Sequence, residues 1–146
     1  MDRRLIALKL ILDHLETSLD ITEFENRKLI QKFLYLVQVG GVDLGYRYNW
    51  DKKGPFSPTL AKGYHALDSA LAAGDTEYSE KELLASIRIS LDRIKALIGT
   101  PPTGLGLSNW LELLASIHYL EKVDGISKRE TTEIIKSEKQ EHSKYI

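Results

Sequence analysis

Leucine and isoleucine recur at intervals of three and four along most of this chain, the spacing that gathers apolar side chains on one side of an α-helix. Leu5, Leu8, Leu12 and Leu15, with Ile11 beside them, predict a first amphipathic helix. Thr22 and Glu25 form a capping-box pattern and Gly40-Gly41 a stop, which predicts a second helix over 22–39. Within it Asn26, Ile30, Phe33 and Val37 share one face, and Leu29 and Leu36 widen the apolar stripe. The period then changes. Tyr46, Tyr48 and Trp50 alternate with Arg47, Asn49 and Asp51, which predicts a short β element near residues 44–52. Gly54-Pro55 reads as a turn, and Ser57-Pro58 as a helix start, with serine as cap and proline at the first helical position.

A third helix carries Leu60, Tyr64, Leu67 and Leu71 and stops near Gly74. Ser79 and Glu82 repeat the capping box and predict a fourth helix that buries Leu83, Leu84, Ile87, Leu91, Ile94 and Ile98 before Gly99. The connector 100–107 holds Pro101, Pro102, Gly104 and Gly106. A fifth helix, 108–123, has apolar residues around most of its surface, including Trp110, Leu111, Leu113, Leu114 and Ile117, and is expected to be central. After the Asp124-Gly125 turn, Ser127 and Glu130 cap a last helix bearing Ile134 and Ile135. The expected fold is mainly α: a compact bundle of about six helices with a short β element, one domain over 1–146, and a polar, frayed tail over 137–146.

Composition narrows the function classes. Twenty basic and 21 acidic side chains leave a net charge of −1, so no global field draws in nucleic acid or anionic lipid, and any such binding needs a local patch. There is no cysteine, which removes thiol catalysis, thiolate metal sites and disulfides, and fits a cytoplasmic location. No apolar run is long enough to cross a membrane. His14, His65, His118 and His142 fall on different predicted elements. His118 and Glu121 are three apart on one helix, but a metal site needs a third ligand and none is in view. No serine occupies a strand-to-helix elbow. Gly104-Leu105-Gly106 follows no strand and lacks the lysine of a phosphate cradle. The expectation is a protein without catalytic residues, metal or cofactor.

Two segments invite a binding role. Tyr46, Arg47, Tyr48, Trp50, Lys52 and Lys53 mix aromatic and cationic groups in eight residues. Such a segment can stack on bases or anchor a protein, or its aromatics can close the core. If Tyr46, Tyr48 and Trp50 face inward, they are expected to meet Phe33 and Leu67, while Arg47, Lys52, Lys53 and Lys62 form a locally basic surface. Toward the end of the chain, Lys128, Arg129 and Lys136 are interleaved with Glu130, Glu133, Glu138 and Glu141, so a helix-turn-helix grip on DNA is disfavoured by charge.

Three runs, Lys28-Leu29-Ile30-Gln31-Lys32-Phe33-Leu34-Tyr35-Leu36, Asp43-Leu44-Gly45-Tyr46-Arg47-Tyr48-Asn49-Trp50 and Lys53-Gly54-Pro55-Phe56-Ser57-Pro58, resemble the Panacea, or SocA-like, antitoxin domain and the related YwgA-like bacterial proteins. The resemblance covers about residues 26–70 and rests on Gln31, Lys32, Tyr35, Trp50, Gly54, Pro55, Ser57 and Pro58. The half containing 110–120 is nearer to the YwgA-like proteins. The resemblance implies a bacterial or phage accessory module used in toxin neutralisation or phage defence, binding a protein partner and catalysing nothing. The alternative is a regulator that binds nucleic acid through 46–62.

Overall fold

Half of the second helix is buried: eight of its sixteen residues, apolar and polar, are enclosed. That helix therefore lies between two layers of structure. The computed structural model describes residues 1–139, which form α1 (Arg3–His14), α2 (Phe24–Val39), β1 (Asn49–Asp51), β2 (Gly54–Phe56), α3 (Pro58–Ala72), α4 (Ala85–Ile98), α5 (Leu107–His118) and α6 (Lys128–Glu138). A 3₁₀ turn, Glu77–Glu80, precedes α4, and a π-helical turn, Tyr119–Val123, prolongs α5. The fold is thus a mainly helical bundle of about six helices with one small antiparallel sheet. Among the described residues no helix is long and apolar enough to cross a membrane.

On one side α2 gives Ile30, Phe33, Leu34 and Val37 to a core completed by Leu8, Ile11 and Leu12 of α1, Leu60, Tyr64 and Leu67 of α3, Leu91 and Ile94 of α4, and Leu111 of α5. On the other side it packs along α5, its most extensive partner. There two smaller clusters form, Tyr35 with Ala115 and Tyr119, and Leu113 with Leu120 and Ile135. Trp50 lies against both of these and not with Phe33 and Leu67 as expected. The reason is reach: an extended chain advances about 3.3 Å per residue, so alternate side chains from Tyr46 to Trp50 are set down successively across the bundle. Tyr46 sits in the main core, with the Arg4 guanidinium 4.1 Å from its ring centre. Tyr48 meets Tyr35 edge-on at 5.1 Å, and Trp50 lies 5.8 Å from Tyr119. Arg47, Asn49 and Asp51 point outward and are exposed.

Several expected boundaries move. The second helix begins at Phe24, because Thr22 is held in a turn by Asp20, whose Oδ1 accepts from the Thr22 hydroxyl at 2.5 Å and from its N–H at 3.2 Å. Glu23 takes the cap position without a side-chain hydrogen bond. The Ser79 and Glu82 box does not form either. Ser79 Oγ donates to Thr76 O at 2.7 Å within the 3₁₀ turn, α4 starts only at Ala85, and Leu84, expected in the core, is 73% exposed. The turn of the hairpin is Lys52-Lys53, while Gly54-Pro55 is strand, with Trp50 opposite Pro55 and Asp51 opposite Gly54. Gly54 leaves the turn at φ +94°, and a Cβ there would collide with Ser116 Oγ on α5, so glycine is required twice over. The expected frayed tail begins inside α6, whose last residues are Ser137 and Glu138, and Lys139 beyond them is buried; residues 140–146 lie outside the described residues.

Two caps form as read. Ser57 Oγ accepts from Leu60 N–H at 3.1 Å with Pro58 at the first helical position, and Ser127 Oγ accepts from Glu130 N–H at 3.2 Å. Ser57→Ala removes the acceptor at a fully buried cap and is expected to lower stability by about 1 kcal/mol, read as a shifted urea midpoint with an unchanged slope.

Candidate functional site

Lys28 is followed at three and four positions by Gln31 and Lys32, and these in turn at four and three positions by Tyr35, so the four share a face of α2. A polar face normally meets water. This one meets the hairpin and α5, and each polar end finds a partner there. Gln31 bonds twice to the cap of α3: its amide nitrogen donates to Ser57 O at 2.9 Å, and Ser57 N–H donates to Gln31 Oε1 at 2.9 Å. Lys32 Nζ donates to Pro55 O at 2.8 Å. Tyr35 OH and His118 Nδ1 are 2.7 Å apart. The motif residues Gln31, Lys32, Gly54, Pro55, Ser57 and Pro58 are thereby drawn into one joint between α2, β2 and the start of α3, while Tyr35 packs beside Trp50 against α5 and Tyr119.

Behind this joint lies a buried carboxylate. Glu112 of α5 is 1% exposed. Lys139 Nζ donates to its Oε2 at 2.7 Å and to Lys52 O at 2.8 Å. Lys28 Nζ stands 3.1 Å from its Oε1, an ion pair in distance whose angles do not make a hydrogen bond, and donates to Asn109 Oδ1 at 2.6 Å. Burial pushes the Glu112 carboxyl up, but the hydrogen bond and charge of Lys139, followed by the charge of Lys28, outweigh it and hold the group below its ordinary range. For Lys32 the balance falls the other way. Burial lowers it most, Glu112 opposes, Lys139 lowers it further, and the ammonium ends at about 8.

Outside the joint a cavity of about 310 Å³ opens between α2, the hairpin and α3. Arg27, Lys28, Lys32 and Lys53 line it, as do Phe24, Phe56, Tyr64 and His65, and among the described residues its acid is Asp51. Of the expected binding cations, Lys53 lines this cavity, Lys52 is exposed at the turn and Lys62 is exposed on α3. Arg47 borders a separate depression with Asp43 and Tyr46. The four are therefore not gathered in one cavity. Sequence reasoning missed Arg27, Lys28, Glu112, Lys139 and Phe24. Glu112 carries a visible signal, one acid inside the apolar run Trp110-Leu111-Glu112-Leu113-Leu114. Lys139 carries none, because it stands in a polar segment.

The histidines are dispersed. His14 Nε2 is 2.7 Å from Asp92 Oδ1, His118 pairs with Tyr35, His65 edges the cavity, and His142 lies outside the described residues. Burial lowers His118. Among the described residues no group of three metal-ligating side chains is assembled, and His118 with Glu121 gains no third ligand. Comparison of the chain with protein-family models, with curated proteins and with solved structures found no match.

Glu112→Gln leaves buried lysines facing a neutral amide and is expected to cost about 3–5 kcal/mol, as breaking a buried ion pair does, far more than loss of an exposed acid such as Glu133. Lys32 gives a pH signature. Its folded value of about 8 lies below the 10.5 of the free side chain, so in that interval the unfolded chain holds a proton the folded chain has lost, and stability rises with pH. The rise is on the order of 3 kcal/mol. Lys32→Met should flatten it, seen by comparing urea midpoints of both proteins from pH 7.5 to 10.

Proposed function

We propose that this domain is a protein-interaction module of antitoxin-like or phage-defence-associated type, and that it receives an acidic segment of its protein partner on the cationic face around the α2, hairpin and α3 cavity. The observation that carries this reading is local charge. Arg27, Lys28, Lys32 and Lys53 line the cavity against Asp51, in a chain whose net charge is −1. Lys62 extends the positive character along α3. Complementary charge of this kind speeds encounter and sets register more than it adds affinity. The resemblance to the Panacea and YwgA-like proteins spans the same stretch, 26–70, and supports a partner such as a toxin or another accessory protein.

Nucleic-acid binding through 46–62 is the weaker reading. Stacking on bases needs exposed rings. Tyr46, Tyr48 and Trp50 are turned inward and engaged with Arg4, Tyr35 and Tyr119, so the segment presents cations without a stacking platform.

Binding of the purified products of neighbouring genes tests the proposal. Lys53→Glu with Lys62→Glu should weaken the partner at least tenfold and leave the urea midpoint unchanged, whereas Arg47→Glu, bordering another depression, should change it less than twofold. Random-sequence DNA is titrated in parallel across a salt series. Tight, steeply salt-dependent DNA binding that the double variant abolishes, with no neighbouring protein bound, overturns the protein reading in favour of nucleic acid.

A further inference from the structure

We propose that the cavity between α2, the hairpin and α3 is a binding site for a small phosphomonoester carried on a planar ring, the chemistry of a nucleoside monophosphate. This goes beyond the protein-binding reading, since it concerns the inner lining of the cavity and a free small molecule.

Charge specifies the anion. Behind the cavity, among the described residues, three buried ammonium groups, Lys28, Lys32 and Lys139, face one buried carboxylate, Glu112, an excess of two positive charges among these four groups. Glu25 reaches Lys28 at 3.5 Å, but from a side chain 63% exposed, where water weakens the pairing. Lys32 is the most buried cation of the lining, at 1% exposure, and its ammonium, which can donate three hydrogen bonds, has one acceptor among the described residues, Pro55 O. A buried cation so placed is stabilised by an anion beside it. A carboxylate supplies one negative charge, whereas a phosphomonoester supplies about 1.5 to 2 at neutral pH and three acceptor oxygens. The excess of two favours the phosphate.

The walls specify what carries it. Phe24 is 48% exposed, an unusual position for a phenyl ring, and it lines this cavity with Phe56 and Tyr64. Aromatic walls accept flat rings. The Arg27 guanidinium stands 5.7 Å from the Phe24 ring centre, which pairs a cation with the ring on the same wall. Asp51 is exposed and repels phosphate, so it suits the opposite end of the ligand, where a hydroxyl or amino group donates to it. A volume of about 310 Å³ lies at the small end of ligand sites and takes a phosphate with one ring system, not an oligonucleotide.

Calorimetric titration of the full chain with adenosine monophosphate, adenosine, inorganic phosphate, phenyl phosphate and benzoate tests this. Adenosine monophosphate should bind at least tenfold more tightly than adenosine or inorganic phosphate, and phenyl phosphate more tightly than benzoate. Lys32→Met should weaken adenosine monophosphate at least tenfold and leave adenosine unchanged, and Phe24→Ala should weaken the nucleotide but not inorganic phosphate. If Lys32→Met fails to fold, Lys53→Gln replaces it, an exposed lysine of the same lining expected to weaken the nucleotide severalfold. No binding of adenosine monophosphate at millimolar concentration overturns the proposal. So does equal binding by wild type, Phe24→Ala and the lysine variant, or equal affinity for benzoate and phenyl phosphate. Nucleotide binding with no protein partner, or the reverse, separates this site from the protein-binding reading.

Discussion

Glu112 is the carboxylate around which the second half of the fold is arranged. Placed without partners in a protein interior, an ionised carboxyl is so costly that it takes up a proton or the structure opens. Here Lys28 arrives from α2 and Lys139 from the end of α6, and Lys139 reaches past Glu112 to the carbonyl of Lys52 at the hairpin turn. Four parts of the chain, α5, α2, the end of α6 and the hairpin turn, meet around one charged group. The hydrophobic core made by α1, α3, α4 and one side of α2 does not need this arrangement. The other side of α2, the hairpin and α6 do.

Much of the helical order is legible from residue spacing, since α1, α3 and the core face of α2 bury the leucines and isoleucines that recur every third or fourth position. Caps were readable when serine preceded a helix without competition, as at Ser57 and Ser127, and misread where a neighbour held the same hydroxyl or where the chain preferred a 3₁₀ turn. Thr22 and Ser79 have the right neighbours in sequence and the wrong ones in space. The candidate site was half legible. Gln31, Lys32 and the Gly54-Pro55 pair stood out, but their roles depend on α2 being enclosed on two sides, and a helical wheel assumes a dry face and a wet one. Lys139 could not be found from local pattern at all, because its burial is decided by a carboxylate 27 residues earlier.

The joint and the cavity share one structural cause. Lys32 is pulled inward by Pro55 O, Lys28 by Asn109 and Glu112, and these attachments carry positive charge to a place where an aliphatic stem ordinarily leads only outward. The hairpin meets the buried ammonium groups with backbone carbonyls, those of Pro55 and Lys52, and adds one exposed acid, Asp51. A carbonyl satisfies one donor and neutralises nothing, so the field persists at the mouth, among Phe24, Phe56 and Tyr64. The combined effect is a cationic recess within a chain of nearly balanced charge.

The contact between Lys139 and Lys52 spans 87 positions, whereas Gln31 and Lys32 reach the hairpin across 26 and 23. On a ribosome the two sets of tethers become available at different times. Gln31 and Lys32 lie close in sequence to the groups they hold, whereas the turn carbonyl of Lys52 and the carboxylate of Glu112 both take a buried partner from the end of α6. One ammonium, Lys139, serves both acceptors. Loop-closure cost rises slowly with length, so a tether across 87 positions costs only modestly more than one across 23. The domain is therefore held by two kinds of tether, a short-range set on α2 and one long-range clasp, and the clasp is a single lysine.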